Sequence, residues 1–329
     1  MTTAPSRKAR LALLTAGAAA IAATATLTGP APASAQETWV DGDWVSDTIV
    51  HCWTQQLAPG YTARASFAGN DGELPQVGET FYFRVEVGLP GLPCTKTPVI
   101  LPELILPAGL EYAESERNPV RWQKVDLEDG ATGWSTENLH YSRGMNNGVV
   151  VEMITPEHPE GGPIEVRQGQ SFELRVPVRA TKVMKGMATR QPQCQERLDG
   201  EAPCPVGESG DHIQVAVTKL DTGPMDYVIP FVGVLVQKAV PTLKASLTAF
   251  AKKAGSATVR LSATTLPTGK VKVFKGTREI AGGTLKAGNR GVLSLKLPKL
   301  AKGTHKLTVK YAGSKVVAPA QRTVRVTSR

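Results

Sequence analysis

The last 91 residues of this 329-residue chain hold a single acid, Glu279, and no tryptophan. Nineteen lysines and arginines stand against that one carboxylate, so residues 239–329 carry +18. Residues 36–238 hold 16 bases and 28 acids and carry −12. The overall +9 therefore conceals a charge step, which marks a domain boundary and points to different partners for the two parts. Charged residues are close to the globular norm, which excludes a disordered chain.

Catalytic signatures are missing. There is no GxSxG elbow, no HExxH, no P-loop and no EF-hand spacing. The five histidines, His51, His140, His158, His212 and His305, are scattered. The chain therefore reads as a non-enzymatic protein without a cofactor. A spatial carboxylate pair for glycoside cleavage is the one arrangement that sequence spacing does not test. Asp41 with Asp43, and Asn70-Asp71-Gly72-Glu73, read as turns, with clustered oxygens for Ca²⁺ as the alternative.

Cysteine is sparse: Cys52, Cys94, Cys194 and Cys204, all in the acidic part. No CxxC occurs and no histidine lies at ligand spacing, which argues against a metal. An even number in an exported chain points to disulfides. Of three pairings, Cys52–Cys94 with Cys194–Cys204 is favoured, because the second pair brackets the short polar loop QERLDGEAP. Such loops are worth about 4 kcal/mol for the longer and about 2.5–3 for the shorter.

Export is read from residues 1–35. Arg7, Lys8 and Arg10 precede an apolar stretch from Leu11 to Leu27, which Pro30 and Pro32 break before Ala33-Ser34-Ala35, a small-x-small cleavage site. The stretch is short and alanine-rich for a stable membrane span. No sortase motif or hydrophobic tail is present, so the cleaved protein is expected outside the cell without a transmembrane anchor, released or held non-covalently.

Helix signals are nearly absent after residue 35, and period-two alternation takes their place. The fold class is accordingly all-β, with sandwiches in tandem over 36–238 and 239–329. Phe81, Phe83, Val85 and Val87 share one strand face, and Phe172, Leu174, Val176 and Val178 repeat the pattern. The segments GETFYFRVEV and GQSFELRVPV are identical at five positions in ten. This reads as two strands of one sandwich under one constraint, with an internal repeat as the alternative. Further strands are expected at 61–67, 99–105, 149–154, 213–219 and 227–237. TWVDGDWV reads as a tight hairpin turning at Asp41-Gly42, with Trp39 facing Trp44.

Two stretches resemble known families. Gly78-x-x-Phe81, Leu106-Pro107-Ala108-Gly109-Leu110 and Gly169-x-x-Phe172 resemble the Ig-like conserved-repeat domains of bacterial surface proteins over roughly 75–180. Residues 111–148 fit that pattern less well and are expected to hold an elaborated loop. Pro267-Thr268-Gly269, Gly303-Thr304-His305 and Tyr311 resemble the bacterial Ig-like repeat family over most of 242–327. The segment AGSKVVAPAQ after Tyr311 departs from it by being short. The resemblance implies a seven-stranded sandwich in a modular surface or secreted protein and gives His305 a structural role. It fixes no ligand. The boundary at Ala239-Val240-Pro241 has no flexible linker, so a restricted orientation is expected.

Two binding surfaces follow. In the basic part, alternation turns Lys270, Lys272, Lys296, Lys306 and Lys310 outward, a polyanion surface suited to an anionic cell-wall or envelope polymer. Protection of edge strands by lysine, or docking on the acidic neighbour, are the plainer readings. Sequence-specific nucleic-acid recognition is not expected, for want of stacking tryptophans and a recognition helix. In the acidic part, Trp39 and Trp44 beside Asp41 and Asp43 suit carbohydrate, with cross-strand packing of the rings as the alternative.

Overall fold

A strand with one dry face and one wet face needs apolar side chains at every second position, and this pattern organises the molecule. A computed structural model describes residues 38–50, 57–69, 73–89, 99–126, 130–144, 148–186, 212–219, 226–228 and 230–329. The leader, all four cysteines, His51, Trp53 and Asn70-Asp71-Gly72 lie outside the described residues. In chain order the acidic part forms β1 (Thr38–Asp41), β2 (Val45–Val50), β3 (Leu57–Gly69), β4 (Thr80–Gly88), β5 (Val99–Ile105), β6 (Leu110–Tyr112), β7 (Arg121–Asp126), β8 (Gly130–Ala131) and β9 (Leu139–Arg143). It continues with β10 (Val149–Met153), β11 (Ile164–Glu165), β12 (Gln170–Ala180), β13 (Met184–Lys185), β14 (His212–Lys219), β15 (Asp226–Val228), β16 (Phe231–Gly233) and β17 (Leu235–Val236). The expected strand at 227–237 is thus three short ones, broken at Pro230, which has no N–H to give, and again at Val234.

Two large sheets and the two-stranded β13-β17 make the acidic part. One runs β1-β3-β4-β12-β7-β8, with β2 also on β3 and β6 on β12; the other runs β15-β14-β5-β10-β9. The two similar segments are neighbours: Phe81 stands across from Val178, Phe83 from Val176, Val85 from Leu174 and Val87 from Phe172. The same constraint acts on both because they bury one face in one core, shared with Phe67, Ile100, Leu104, Val151, Ile164 and Val215. Residues 111–148 are not merely a loop. They supply β7 to the first sheet and β9 to the edge of the second, with Trp122 stacked on Phe172 at 6.1 Å.

The TWVDGDWV hairpin does not form. β1 and β2 run in line along the same neighbour, β3: Asp41 stands across from Ser66 and Val45 from Ala63. Four steps on one strand face three on the other, so the segment carries a one-residue bulge. Gly42 N–H donates to Ala65 O at 2.9 Å within it. Neither Asp41 nor Gly42 has the positive φ that a type I′ turn requires. The bulge resets the alternation, so Val40 and Val45, an odd number of residues apart, both pack on the core. A two-residue turn would have left the long edge of β3 unpaired.

The basic part forms β18 (Thr242–Thr248), β19 (Gly255–Ser262), β20 (Gly269–Lys275), β21 (Arg278–Leu285), β22 (Val292–Leu297), β23 (Gly303–Tyr311) and β24 (Ala320–Ser328). The sheets β18-β19-β22 and β21-β20-β23-β24 enclose their own core of Leu243, Val259, Val271, Val273, Leu295, Leu307, Val309 and Tyr311. The only helix among the described residues is the turn Ala287–Asn289, so none is long and apolar enough to cross a membrane.

The two cores meet at a pinned junction. Val77 N–H donates to Gln237 O at 3.0 Å, Thr264 Oγ1 to Val77 O at 2.6 Å, and Val240 N–H to Gln76 Oε1 at 2.8 Å. Ala239 pairs with Val317, and Val316 packs against both cores. The short segment after Tyr311, which departs from the family pattern, is the one that builds this contact. Gly78 is required here: its φ is +86°, and a Cβ would lie 2.4 Å from Thr264 O.

Candidate binding surfaces

The outer face of the first sheet carries alternating rows. One row runs Asp41, Ser66, Arg84, Arg175 and Arg121 across β1, β3, β4, β12 and β7. The next runs Arg64, Glu86, Glu173 and Gln123. Three guanidiniums abreast repel one another. The neighbouring groups offset this. Asp41 takes Arg84 Nη2 at 2.8 Å and Arg64 Nη1 at 3.2 Å. Glu86 takes Arg64 Nε at 2.8 Å, and Glu173 takes Arg175 Nε at 3.0 Å and Gln123 Nε2 at 2.7 Å.

Aromatic rings interleave with these charges. Arg84 and Arg175 lie 4.3 and 4.9 Å from the Trp39 ring, Arg175 and Arg121 lie 4.1 and 5.2 Å from Trp134, Arg121 lies 4.6 Å from Tyr82, and Arg64 lies 4.6 Å from Trp44. Each contact is worth about 0.5–2 kcal/mol, more where water is excluded. The result is a tryptophan–arginine ladder that fastens the edge segment β1–β2 and the Trp134 loop to the sheet.

Of the residues read as a carbohydrate site, Trp39, Asp41 and Trp44 do share this outer face, and Asp43 is exposed in the bulge. Trp39 and Trp44 do not face each other. Trp39 stands across from Ala68, and each ring already holds a guanidinium. Trp44 remains 51% exposed. Asp41 is committed to two arginines. Among the described residues no three histidine, cysteine, aspartate or glutamate side chains gather as a metal site. The sequence reading missed the arginines. A signal was present: Arg84 and Arg175 hold the same place in the two similar segments, which pair in register.

The cationic residues of the basic part divide between its two sheets. Lys270 and Lys272 lie on β20, and Lys306 and Lys310 on β23, all exposed on the four-stranded sheet. Lys296 lies on β22, an edge of the other sheet. β20 and β23 are the two central strands, so protection of an edge does not account for their lysines. Lys272 stands directly across from Lys310, and Lys306 from Arg325. Only Lys272 has an ion pair among the described residues, with Glu279 at 2.7 Å. The junction hydrogen bonds named above are made by backbone and neutral side chains, and Lys238 Nζ donates to Ser314 O at 2.9 Å. These lysines therefore face solvent, not the acidic neighbour. His305 Nε2 donates to Ala301 O at 2.6 Å, bracing the turn before β23.

Comparison with known proteins bears on the C-terminal part. Residues 237–328 match the family model of the bacterial Ig-like domain, group 3, the family that the PTG and GTH motifs resemble. No curated protein matches the chain. Among solved structures the chain is similar to the group B streptococcus pilus 2b backbone protein, at 10% identity and TM-score 0.33, over 78% of this chain and 88% of that one. It is similar to fibronectin(III)-like modules of Clostridium thermocellum CbhA, at 10% identity and TM-score 0.23, over 80% and 94%. It is also similar to the pilus backbone of Streptococcus pneumoniae, at 9% identity and TM-score 0.24, over 79% of this chain and 56% of that one.

Proposed function

We propose that this chain is an extracellular, non-enzymatic binding and structural protein, held to an anionic envelope polymer by its basic Ig-like sandwich. The observation that carries the reading is the placement of Lys272 across from Lys310 on the two central strands of an exposed sheet. A cross-strand pair of like charges costs stability. Edge protection and docking on the acidic part both fail to account for it. Glu279 offsets the charge of Lys272 alone; a bound polyanion would relieve the rest of the repulsion and release counterions, so the contact would be salt-sensitive. Carbohydrate binding at Trp39 and Trp44 has less support, because their rings already hold arginines.

The test is a salt-gradient retention assay of the chain on cell-wall preparations and on an immobilised polyphosphate. Binding at low salt that is lost between about 50 and 200 mM salt supports the reading. No retention on either matrix at low salt overturns it.

A further inference from the structure

The end of the basic sandwich away from the junction carries a second cationic cluster. Three segments meet there: 249–254 after β18, 298–302 before β23, and the residues closing β24. Leu300 N–H donates to Phe250 O at 3.2 Å, Ala251 N–H to Arg329 O at 2.9 Å, and Ser328 Oγ to Leu300 O at 2.9 Å. Leu300 is buried in the core and Ser328 beneath the segments. The backbone is thus pinned, and it presents Lys252, Lys253, Lys299, Lys302 and Arg329 to solvent. None of these five has an ion pair among the described residues, and these segments contain no acidic side chain. Glu279, the one carboxylate of the basic part, is committed to Lys272.

We propose that this pole is the primary attachment point, taking a linear phosphate-bearing polymer end-on; the proposal rests on the polyanion reading above. Ammonium groups bind phosphate as point charges and need no shaped pocket. A membrane surface is the less suitable partner. The exposed large apolar side chains described in the basic part, Val240 and Leu266, lie toward the junction, so the pole has none to insert. From the pole the charge continues along the sheet through the Lys306–Arg325 pair to the Lys272–Lys310 pair. End-on binding also holds the −12 acidic part about 30 Å away, one nine-residue strand, which spares it repulsion from the polymer.

The experiment compares the chain with two quadruple variants. One carries Lys252→Gln, Lys253→Gln, Lys299→Gln and Lys302→Gln; the other carries Lys270→Gln, Lys272→Gln, Lys306→Gln and Lys310→Gln. Affinity for long-chain polyphosphate is measured across a salt series, and thermal unfolding verifies that each variant folds. The pole variant should lose at least about tenfold, with the slope of log K against log salt shallower by about 3. The sheet variant should lose less, and lysine-to-arginine replacements at the pole should retain binding. A pole variant that binds like the parent while the sheet variant fails overturns end-on attachment and leaves the polyanion function standing. A parent that does not bind polyphosphate but binds vesicles of anionic phospholipid overturns the polymer as partner. A parent that binds neither of these, nor wall preparations, overturns the function itself.

Discussion

Arg84 and Arg175 stand directly across from each other on neighbouring strands, and the Trp39 ring lies within 5 Å of both guanidiniums. Two like charges at one cross-strand position would repel, yet here they share an aromatic face and the carboxylates of Asp41, Glu86 and Glu173. The ring and the acids turn a repulsive row into the fastening of an edge strand.

Trp39→Ala should cost about 2 kcal/mol or more, from two lost cation–π contacts and the packed ring. Trp44→Ala should cost about 1 kcal/mol or less, because that ring is half exposed and holds one guanidinium. Denaturant unfolding followed by tryptophan fluorescence reads this cleanly, since all five tryptophans lie in the acidic part. Equal costs for the two variants would remove the ladder as the explanation.

Deleting Asp43 should remove the bulge between β1 and β2 at little cost. With four residues facing four, Val40 and Val45 stand four apart in a regular strand and keep the same face. The fluorescence midpoint should therefore stay close to the parent's, as it should in Asp43→Ala. A loss of about 1.5–3 kcal/mol, the cost of exposing a valine, would mean that the bulge itself is needed to seat Val40 and Val45.

Gly78→Ala should loosen the junction. An L-residue at positive φ costs about 1–2 kcal/mol, and the added methyl also meets the Thr264 carbonyl. Thr264→Val removes the hydrogen bond to Val77 O, for about 1 kcal/mol. In both variants the amides of Val77 and Val240 should exchange hydrogen faster, while those of Val273 and Val309 in the basic core should not. Unchanged exchange at Val77 and Val240 would mean that these bonds do not hold the junction.

Alkali should destabilise the chain through its tyrosines. Burial, with Glu114 adding, pushes Tyr141 up to about 12. Tyr112, whose hydroxyl donates to Leu104 O at 3.0 Å, is raised by burial and then by Glu103. Tyr311, donating to Thr268 O at 2.7 Å, is raised by burial against the opposing effect of its hydrogen bonds. In the unfolded chain these groups ionise near pH 10. Above that pH the unfolded state holds fewer protons, so their contribution is intact below about pH 10 and is lost as pH climbs toward the folded values. Tyr112→Phe should flatten the fall in fluorescence-detected stability between about pH 10 and 12. A slope identical to the parent's would exclude Tyr112 as a source.

The sequence by itself determined the all-β class, the alternation of the long strands and the likeness of the C-terminal part to the bacterial Ig-like family, because alternation and turn residues act over a few positions. It located β4 and β12 and their common pattern, and it turned the lysines of β20 and β23 outward. Only the tertiary structure decided which strands are neighbours. That choice replaced a hairpin at Asp41-Gly42 with an edge strand along β3, because pairing with a long partner is a contact between distant residues. It aligned Arg84, Arg175 and Arg121, which are far apart in the chain, and set tryptophans against them. It placed the lysines of β20 and β23 on central strands and Lys296 on an edge, and it gathered Lys252, Lys253, Lys299, Lys302 and Arg329 at one pole. Local periodicity says which way a side chain points; only the packing of distant segments says what it meets.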